Sequence, residues 1–180
     1  MKFTPISLFK QPHLCRYSQQ LYQQAFPAED RFPFWSLLLF SLRPAIRFDA
    51  IVDEHQQPIG FVYLIHGEGL LFVLYFAVDA RCRSQGYGSR IIATLEQQYP
   101  SDTIVLDIRA PNPAAADALQ RQKRLDFYLR NGFQIAPYQW VEAAERYAVL
   151  YKGDGFHPRA FETLLAKTTF NLIHPTLQAA

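Results

Sequence analysis

The chain has 180 residues, of which 49% are hydrophobic and 19% are charged, the length and composition of one globular domain with room for an appendage. Its formal net charge is only +2 and it has no long block of like charges, which argues against a nucleic-acid or anionic-membrane surface. The longest apolar stretch, Leu70 to Val78, is too short to span a bilayer. We therefore expect no nucleic acid and no membrane among its partners.

The N-terminus and the cysteines indicate the cellular compartment. Met1 to Lys10 contains Pro5 and lacks the basic start and the small-residue cleavage site of a signal peptide. Cys15 and Cys82 are too few and too far apart for a disulfide scaffold or a metal site. We expect a cytoplasmic protein with reduced thiols and no bound metal.

The first third of the chain predicts two helices followed by two paired strands. The expected elements cover residues 13–26, 34–42, 47–52 and 59–65. Apolar residues recur every three to four positions in the first helix, which Pro12 opens, while the two strands are rich in β-branched and aromatic residues. A proline-rich polar link, Phe26 to Pro33, separates the helices and is a candidate lid.

The middle of the chain predicts a strand, a helix and a second strand. Leu70 to Val78 is an unbroken apolar run, typical of a central strand covered on both faces. Residues 86–99 carry an apolar stripe and end before Pro100, and residues 103–108 form the second strand. Because this order requires a crossover, the two strands should be parallel neighbours in a mixed sheet.

The last third predicts a long helix, a hairpin and a C-terminal helix. The long helix should run from Ala114 to about Arg130, with Gly132 in a left-handed cap. The hairpin and the final helix are expected over the following ranges: a strand from Phe133, a turn near Glu142 to Glu145, a strand over Tyr147 to Tyr151, and a helix over Pro158 to Phe170. We divide the chain into a domain, 1–151, and a C-terminal extension, 152–180. Its helix could dock on its own sheet or on that of a partner, which leaves a homodimer open.

The run from Arg81 to Ser89 predicts a phosphate-binding turn between the central strand and the next helix. Gly86 and Gly88 would let the backbone approach a ligand closely. The first amides of the helix lack intrahelical partners and, with the helix dipole, favour an anion such as a pyrophosphate. Taken alone, this glycine pattern also occurs in turns that bind nothing, and Cys82 has no histidine nearby in sequence to activate it as a nucleophile.

Two separated motifs give the chain a resemblance to a known family. Phe76-Ala77-Val78 leads into Arg83-x-x-Gly86-x-Gly88, and Phe127-Tyr128-Leu129-Arg130-Asn131-Gly132-Phe133 follows downstream. In this order the chain resembles the GNAT superfamily of acetyl-coenzyme A-dependent N-acetyltransferases over about residues 45–151. The resemblance implies an α/β fold of mixed α+β type, with a splayed mixed β-sheet flanked by helices and a C-terminal helical extension.

The resemblance also implies how acetyl-CoA is held. The pyrophosphate would lie on backbone amides of the turn, and the pantetheine arm would pair with the strand edge in a slot where the central strand splays from its parallel neighbour. The implied cofactor-binding residues are Phe76, Ala77, Val78, Arg83, Ser84, Gln85, Gly86, Tyr87, Gly88 and Ser89.

Tyr128 matches the tyrosine that, in many members of the family, protonates the departing thiolate. A phenol with a reference pKa of about 10 keeps its proton near neutrality and can donate it to a thiolate whose reference pKa is about 8.5. The attacking amine must be neutral, which for a lysine-like pKa of about 10.4 costs roughly 4 to 5 kcal/mol at pH 7. The resemblance thus implies direct acetyl transfer to a primary amine of a small molecule or peptide, with Tyr128 as the catalytic residue.

The chain departs from the family pattern at two places. Many relatives carry a glutamate a few residues before the position of Val78, where this chain has Val73, Leu74 and Tyr75. The candidates for the general base are therefore weaker ones: Glu29, Asp30, Glu68, His66 or a water held by Tyr75. In addition, Arg121 stands near the position of an asparagine that often contacts the cofactor.

The acceptor side is expected to involve Arg31, Tyr138 and Trp140. Arg31 could hold a carboxylate by a two-pronged contact, and the two aromatic residues could line an apolar or cationic pocket. Each has a structural alternative, as a surface charge or as cover for the sheet. Two other functions stay open: an acyl-CoA-binding sensor or regulatory protein without transfer activity, and transfer to a hydroxyl or from a longer acyl-CoA.

Overall fold

The computed structural model describes residues 1–8, 10–142, 145–169 and 177–179. These residues form eight strands and five α-helices, in the order β1 (Lys2–Pro5), α1 (Pro12–Ala25), α2 (Phe34–Phe40), β2 (Ile46–Val52), β3 (Pro58–Gly67), β4 (Leu70–Val78), α3 (Tyr87–Gln98), β5 (Thr103–Arg109), α4 (Ala118–Arg130), β6 (Gln134–Glu142), β7 (Glu145–Lys152), α5 (Pro158–Thr169) and β8 (Leu177–Ala179). Short 3₁₀ turns cover Ala28–Asp30 and Ala80–Cys82. None of the helices described here is long and apolar enough to cross a membrane.

The strands form a mixed sheet in the order β1-β2-β3-β4-β5-β7-β6-β8. β4 and β5 are parallel, as expected for two strands joined through α3, while the pairs β1 with β2, β2 with β3, β5 with β7, β6 with β7 and β6 with β8 are antiparallel. The mixed sheet and its helices confirm the predicted fold class.

The chain divides into two compact units, and β4 contributes to both. The first unit contains residues 1–65 and 74–91, and the second contains residues 66–73 and 92–180. β4 pairs with β5 over Leu70 to Phe72, opposite Thr103 to Val105.

The core of the first unit is aromatic. Tyr22 of α1 packs edge-on against Phe61 and Tyr75, with ring centroids 6.2 Å and 4.9 Å away. Phe48 of β2 packs in the same way against Phe61 and Tyr63, at 5.7 Å and 5.2 Å. Because side chains alternate across a strand, these contacts show that one face of β2, β3 and β4 is covered by α1. Edge-to-face pairs add about 0.5 to 1.5 kcal/mol each beyond the burial of apolar area.

Gly60 lets β3 and β4 approach each other closely. A Cβ atom on Gly60 would lie 2.4 Å from the carbonyl oxygen of Ala77 and 3.3 Å from the Cα of Val78. Side-chain atoms do not fit at such a distance, so any other residue would force the two strands apart. The amide of Asp79 donates to the carbonyl of Ile59 at 2.9 Å, which ties the end of β4 to the start of β3.

In the second unit, α5 docks on the sheet of its own chain. Phe161 is fully buried, and its ring lies 4.9 Å from that of Phe72 and 5.6 Å from that of Phe156. Lys167 of α5 forms an ion pair with Glu68 at 2.6 Å. Phe161, Leu164 and Leu165 are buried and lie on the face by which α5 packs.

The structure differs from the sequence prediction at a few element ends. The helix expected from Ala114 begins only at Ala118, because residues 113–117 form turns in which Oδ1 of Asn112 accepts the Ala114 amide at 3.0 Å. The strands β1 and β8 were not predicted, since four and three residues are too short for a period-two pattern to be seen. Part of the predicted turn at 142–145 and the expected helix end at Phe170 lie outside the described residues.

Candidate functional site

The turn between β4 and α3 is braced at its entrance by Asp79. The Asp79 carboxylate accepts the amide of Arg81 at 2.9 Å and the hydroxyl of Tyr17 at 3.2 Å, and it pairs with the Arg81 guanidinium at 2.7 Å. These contacts, chiefly the hydrogen bonds from the Arg81 side chain, hold the pKa of Asp79 at about 2. Sequence reasoning missed Tyr17 and Asp79 as supports of the turn, although an aspartate directly before a 3₁₀ turn is a capping signal.

The middle of the turn has a left-handed backbone at two residues. Ser84 has φ 60° and Gly86 has φ 75°. Left-handed and ordinary residues in alternation turn successive amides toward one side, which is the geometry of an anion-binding nest. The positive φ favours glycine at position 86, and a Cβ atom there would have no atom within 4 Å, so the space above Gly86 is open.

The amides of this turn are available to a ligand. The Arg90 amide donates to the carbonyl of Gly86 at 3.1 Å, whereas in the described chain the amides from Ser84 to Ser89 donate to no backbone carbonyl. The helix dipole of α3 adds positive potential at the same place. Arg83 and Arg90 are exposed nearby. The turn is thus suited to an anion with several oxygens.

Tyr87 packs against an arginine, and Cys82 is a poor candidate for a nucleophile. The Arg90 guanidinium lies 4.3 Å from the centroid of the Tyr87 ring, a cation–π contact in the first turn of α3. Burial raises the pKa of the Cys82 thiol, so the thiolate form that a nucleophile needs is disfavoured.

The end of β4 leads directly into the turn. Ala77 is buried, whereas Phe76 and Val78 are half-buried on the opposite face of the strand. At the end of the strand, the carbonyl of Val78 accepts a hydrogen bond from Nε of Arg83 at 3.3 Å. A strand backbone can hydrogen-bond to an extended chain or ligand laid beside it.

Tyr128 lies near the C-terminal end of α4 with its ring buried. It is 7% exposed and packs against Phe127 and Phe133, with ring centroids at 5.1 Å and 5.4 Å. Burial raises the pKa of Tyr128 to about 12, so the phenol keeps its proton at neutral pH. Its hydroxyl has no hydrogen-bond partner within the part of the chain that the structure describes. Gly132, with φ 83°, ends the helix as predicted.

Arg121 is a structural clamp. This side chain is 8% exposed and lies two turns before Tyr128 on α4. It donates to Asp117 at 2.7 Å, to both carboxylate oxygens of Glu145 at 3.0 Å and 3.2 Å, and to the carbonyl of Ala110 at 3.3 Å. The hydrogen bonds with Glu145 chiefly raise the pKa of Arg121. The guanidinium thus joins α4 to the end of β5 and to β7.

Two of the sequence candidates for the general base contact charged side chains in the second unit. Nε2 of His66 lies 2.8 Å from a carboxylate oxygen of Asp102. Glu68 pairs with Lys167 at 2.6 Å. Both candidates therefore have partners that compete with a substrate.

The remaining candidates belong to the first unit. Glu29 is exposed and Asp30 is half-buried, both in the 3₁₀ turn of the link between α1 and α2. The Tyr75 hydroxyl donates to the carbonyl of Asp30 at 2.9 Å and accepts the amide of Phe32 at 3.4 Å. Tyr75 therefore binds the link itself.

The structure places the three predicted acceptor residues in different units. Nη1 of Arg31, in the first unit, lies 3.4 Å from the carbonyl of Gln23 at the end of α1. In the second unit, Tyr138 and Trp140 are half-buried on β6. They pair in register with Ala179 and Leu177 of β8, the neighbouring antiparallel strand. Their rings lie 5.8 Å from Phe156 and 6.5 Å from Tyr147, respectively.

Comparison with solved structures identifies proteins of the same fold. A GNAT-family acetyltransferase candidate from Bacteroides thetaiotaomicron is 22% identical with a TM-score of 0.75, over 96% of this chain and 100% of its own. An aminoglycoside 6′-N-acetyltransferase solved with coenzyme A is 18% identical with a TM-score of 0.65, over 84% of this chain and 96% of its own. A chimeric spermidine N-acetyltransferase from Vibrio cholerae is 14% identical with a TM-score of 0.61, over 84% and 95%.

Sequence comparison is decisive for the family. Curated protein sequences give no significant match. The family model of the Acetyltransferase (GNAT) family, however, matches residues 13–133, from the first turn of α1 to the residue after the α4 cap. That range includes the turn after β4 and Tyr128. The chain therefore belongs to the Acetyltransferase (GNAT) family.

Proposed function

We propose that the protein transfers the acetyl group of acetyl-CoA to a primary amine of a small molecule or peptide by direct attack on the thioester. The observation that carries this proposal is the turn after β4, in which the amides of residues 84–89 lack backbone acceptors around the left-handed Gly86. Family membership supports an acyl-CoA donor. Proteins of the same fold that acetylate aminoglycosides and spermidine support an amine acceptor.

The residues present fit acetyl-CoA as the donor. The pyrophosphate would be bound by the amides of residues 84–89, with Arg83 adding positive charge, and the open space above Gly86 leaves room for it. The backbone of β4 from Phe76 to Val78 would hydrogen-bond to the amide groups of the pantetheine arm, as a further strand would.

Tyr128 would act on the departing sulfur. With a pKa of about 12, its phenol stays protonated and donates a hydrogen bond as negative charge develops on the sulfur. The reference pKa of a thiol is about 8.5, so complete proton transfer from this phenol would be uphill by roughly 5 kcal/mol. The hydrogen bond therefore stabilises the leaving group, and the proton that the amine loses on forming the amide balances the one that the thiolate gains.

The alternative function is an acyl-CoA-binding sensor or regulatory protein that does not catalyse transfer. It is favoured by the lack of an acidic residue at Val73, Leu74 and Tyr75, the part of β4 where many relatives carry a glutamate. This alternative predicts binding of acetyl-CoA without release of CoA when amines are added.

The cofactor site is tested with Gly86→Val and a matched control, Gly69→Val. Gly69 has φ 72° and, as at Gly86, a Cβ atom added there would have no other atom within 4 Å, so both substitutions impose similar backbone strain. Acetyl-CoA at 100 times its Kd should stabilise the wild type by about 2.7 kcal/mol in thermal unfolding. We expect Gly69→Val to keep this stabilisation and Gly86→Val to lose it. Equal stabilisation of the two variants would refute the assignment of the turn.

Catalysis is tested by CoA release with a panel of amines that includes spermidine and an aminoglycoside. Amine-dependent release of CoA, with an acetylated product detected by mass spectrometry, is the expected result. Binding of acetyl-CoA without release across the panel would overturn the transferase and favour the sensor.

A further inference from the structure

Two tyrosine hydroxyls hold the link between α1 and α2, residues 26–33, here called the proline loop. The Tyr75 hydroxyl contacts both sides of the loop, donating to the Asp30 carbonyl at 2.9 Å and accepting the Phe32 amide at 3.4 Å. The Tyr22 hydroxyl donates to the Phe32 carbonyl at 3.1 Å. Both polar groups of the Phe32 backbone are therefore bound by side chains from other elements of the first unit.

The two tyrosines form a rigid support. Tyr22 is 2% exposed and Tyr75 is 4% exposed, and their rings pack edge-on with centroids 4.9 Å apart. Phe26, at the start of the proline loop, lies at the same distance from Tyr75. A buried hydroxyl is costly unless it is hydrogen-bonded, so the loop conformation that satisfies these phenols is favoured over others.

The support connects the loop directly to the strand that would hold the donor. Tyr75 belongs to β4 and precedes Phe76 to Val78, the edge proposed for the pantetheine arm. The loop carries the carboxylates of Glu29 and Asp30 and the guanidinium of Arg31, groups that recognise amines and carboxylates in small molecules. A shift in the loop would therefore move these groups relative to the donor strand.

We propose that Tyr75 is a positioning residue for the acceptor: its hydroxyl fixes the proline loop against β4 and so sets the place at which a charged amine substrate binds. This inference rests on the proposed function. Tyr75 acts through the loop and not as a general base, because its proton and its acceptor capacity are both used in contacts with the loop backbone.

The test compares Tyr75→Phe with Tyr63→Phe. Tyr63 has the same ring on the same sheet face and is 2% exposed, but its hydroxyl donates to Leu37 of α2 at 3.2 Å and not to the loop. Hydrogen–deuterium exchange over residues 26–33 reports loop order, and steady-state kinetics with the amine found active in the panel reports acceptor binding. If Tyr75→Phe does not fold, Tyr22→Phe takes its place, because it removes the bond to the Phe32 carbonyl and the hydrogen bond between the two tyrosine side chains.

We expect Tyr75→Phe to speed loop exchange and to raise the acceptor KM by about tenfold or more, since two hydrogen bonds are lost. The Kd of acetyl-CoA should stay within about twofold, and Tyr63→Phe should change neither loop exchange nor the acceptor KM. A loosened loop with an unchanged acceptor KM would overturn this inference alone. A wild type without amine-dependent turnover would overturn the proposed function and, with it, the acceptor role, while the exchange data would still show whether Tyr75 holds the loop.

Discussion

The two halves of α4 bury polar side chains to the same degree but use them differently. Arg121 is 8% exposed, and its guanidinium is bound by Asp117, Glu145 and the carbonyl of Ala110. Tyr128, two turns later, is 7% exposed, yet its hydroxyl has no partner in the described part of the chain. Burial is therefore the same for the two groups, whereas their hydrogen bonding differs: the Arg121 guanidinium is bound by several acceptors and the Tyr128 hydroxyl is not.

The largest expected effect comes from Tyr128→Phe. If the hydroxyl serves only as a hydrogen-bond donor to the departing sulfur, turnover should fall about 10² to 10³-fold, while the Kd of acetyl-CoA stays close to that of the wild type. The free energy of unfolding should change by less than about 0.5 kcal/mol, because no internal hydrogen bond is lost. Steady-state kinetics and urea unfolding check the two halves of this prediction.

Tyr63→Phe is the matched control for that variant. In the wild type the buried Tyr63 hydroxyl donates to the carbonyl of Leu37. Removing it should lower the free energy of unfolding by about 1 kcal/mol and leave turnover unchanged. Wild-type turnover in Tyr128→Phe would remove Tyr128 from the mechanism. A stability loss in Tyr128→Phe as large as that of Tyr63→Phe would show that the Tyr128 hydroxyl is bonded after all.

Arg121→Met should have the next largest effect, on stability. The substitution keeps much of the side-chain volume but removes the donor to the Ala110 carbonyl and leaves Glu145 with only the longer contact to Arg109 at 3.9 Å, so we expect a loss of about 2 to 4 kcal/mol in urea unfolding. Lys123→Met, exposed on the same helix, should change stability by less than about 0.5 kcal/mol. Equal stabilities of the two variants would show that the clamp does not contribute to folding.

A smaller, pH-dependent effect is expected for Asp79, another polar group with its partners already in place. Its pKa of about 2 in the folded protein lies below the ordinary value of 3.8, so its contribution is complete above pH 3.8 and is lost as the pH falls toward 2. At neutral pH, Asp79→Asn should lower stability by about 1 to 2 kcal/mol, allowing for solvent screening. The wild type and the variant should converge in acid unfolding curves below pH 3, and a constant difference would contradict the assignment.

The fold could be predicted from sequence wherever one local pattern dominates. The unbroken apolar run from Leu70 to Val78 gave β4 its observed bounds, and the Asn131-Gly132 pair gave the end of α4. The glycine-containing turn was likewise located correctly, because its left-handed Gly86 follows from local backbone chemistry.

The partners of buried polar groups could not be predicted in this way. Tyr75 meets Asp30 across 45 positions of sequence, and Arg121 meets Glu145 across 24. Only the folded chain brings such residues together, and the sequence around Tyr75 shows just an apolar strand. The residue roles predicted for the cofactor turn, Tyr128 and the acceptor side stay predictions until the variants above are measured.

The close approach at Gly60 limits how this sheet can be altered. Because a Cβ atom there would meet the backbone of Ala77 and not a movable side chain, compensating substitutions nearby cannot make room for it. Libraries that diversify β3 to change substrate preference should therefore leave this codon untouched, while Ile59, whose side chain is buried in packed core, can be varied by volume-conserving exchange.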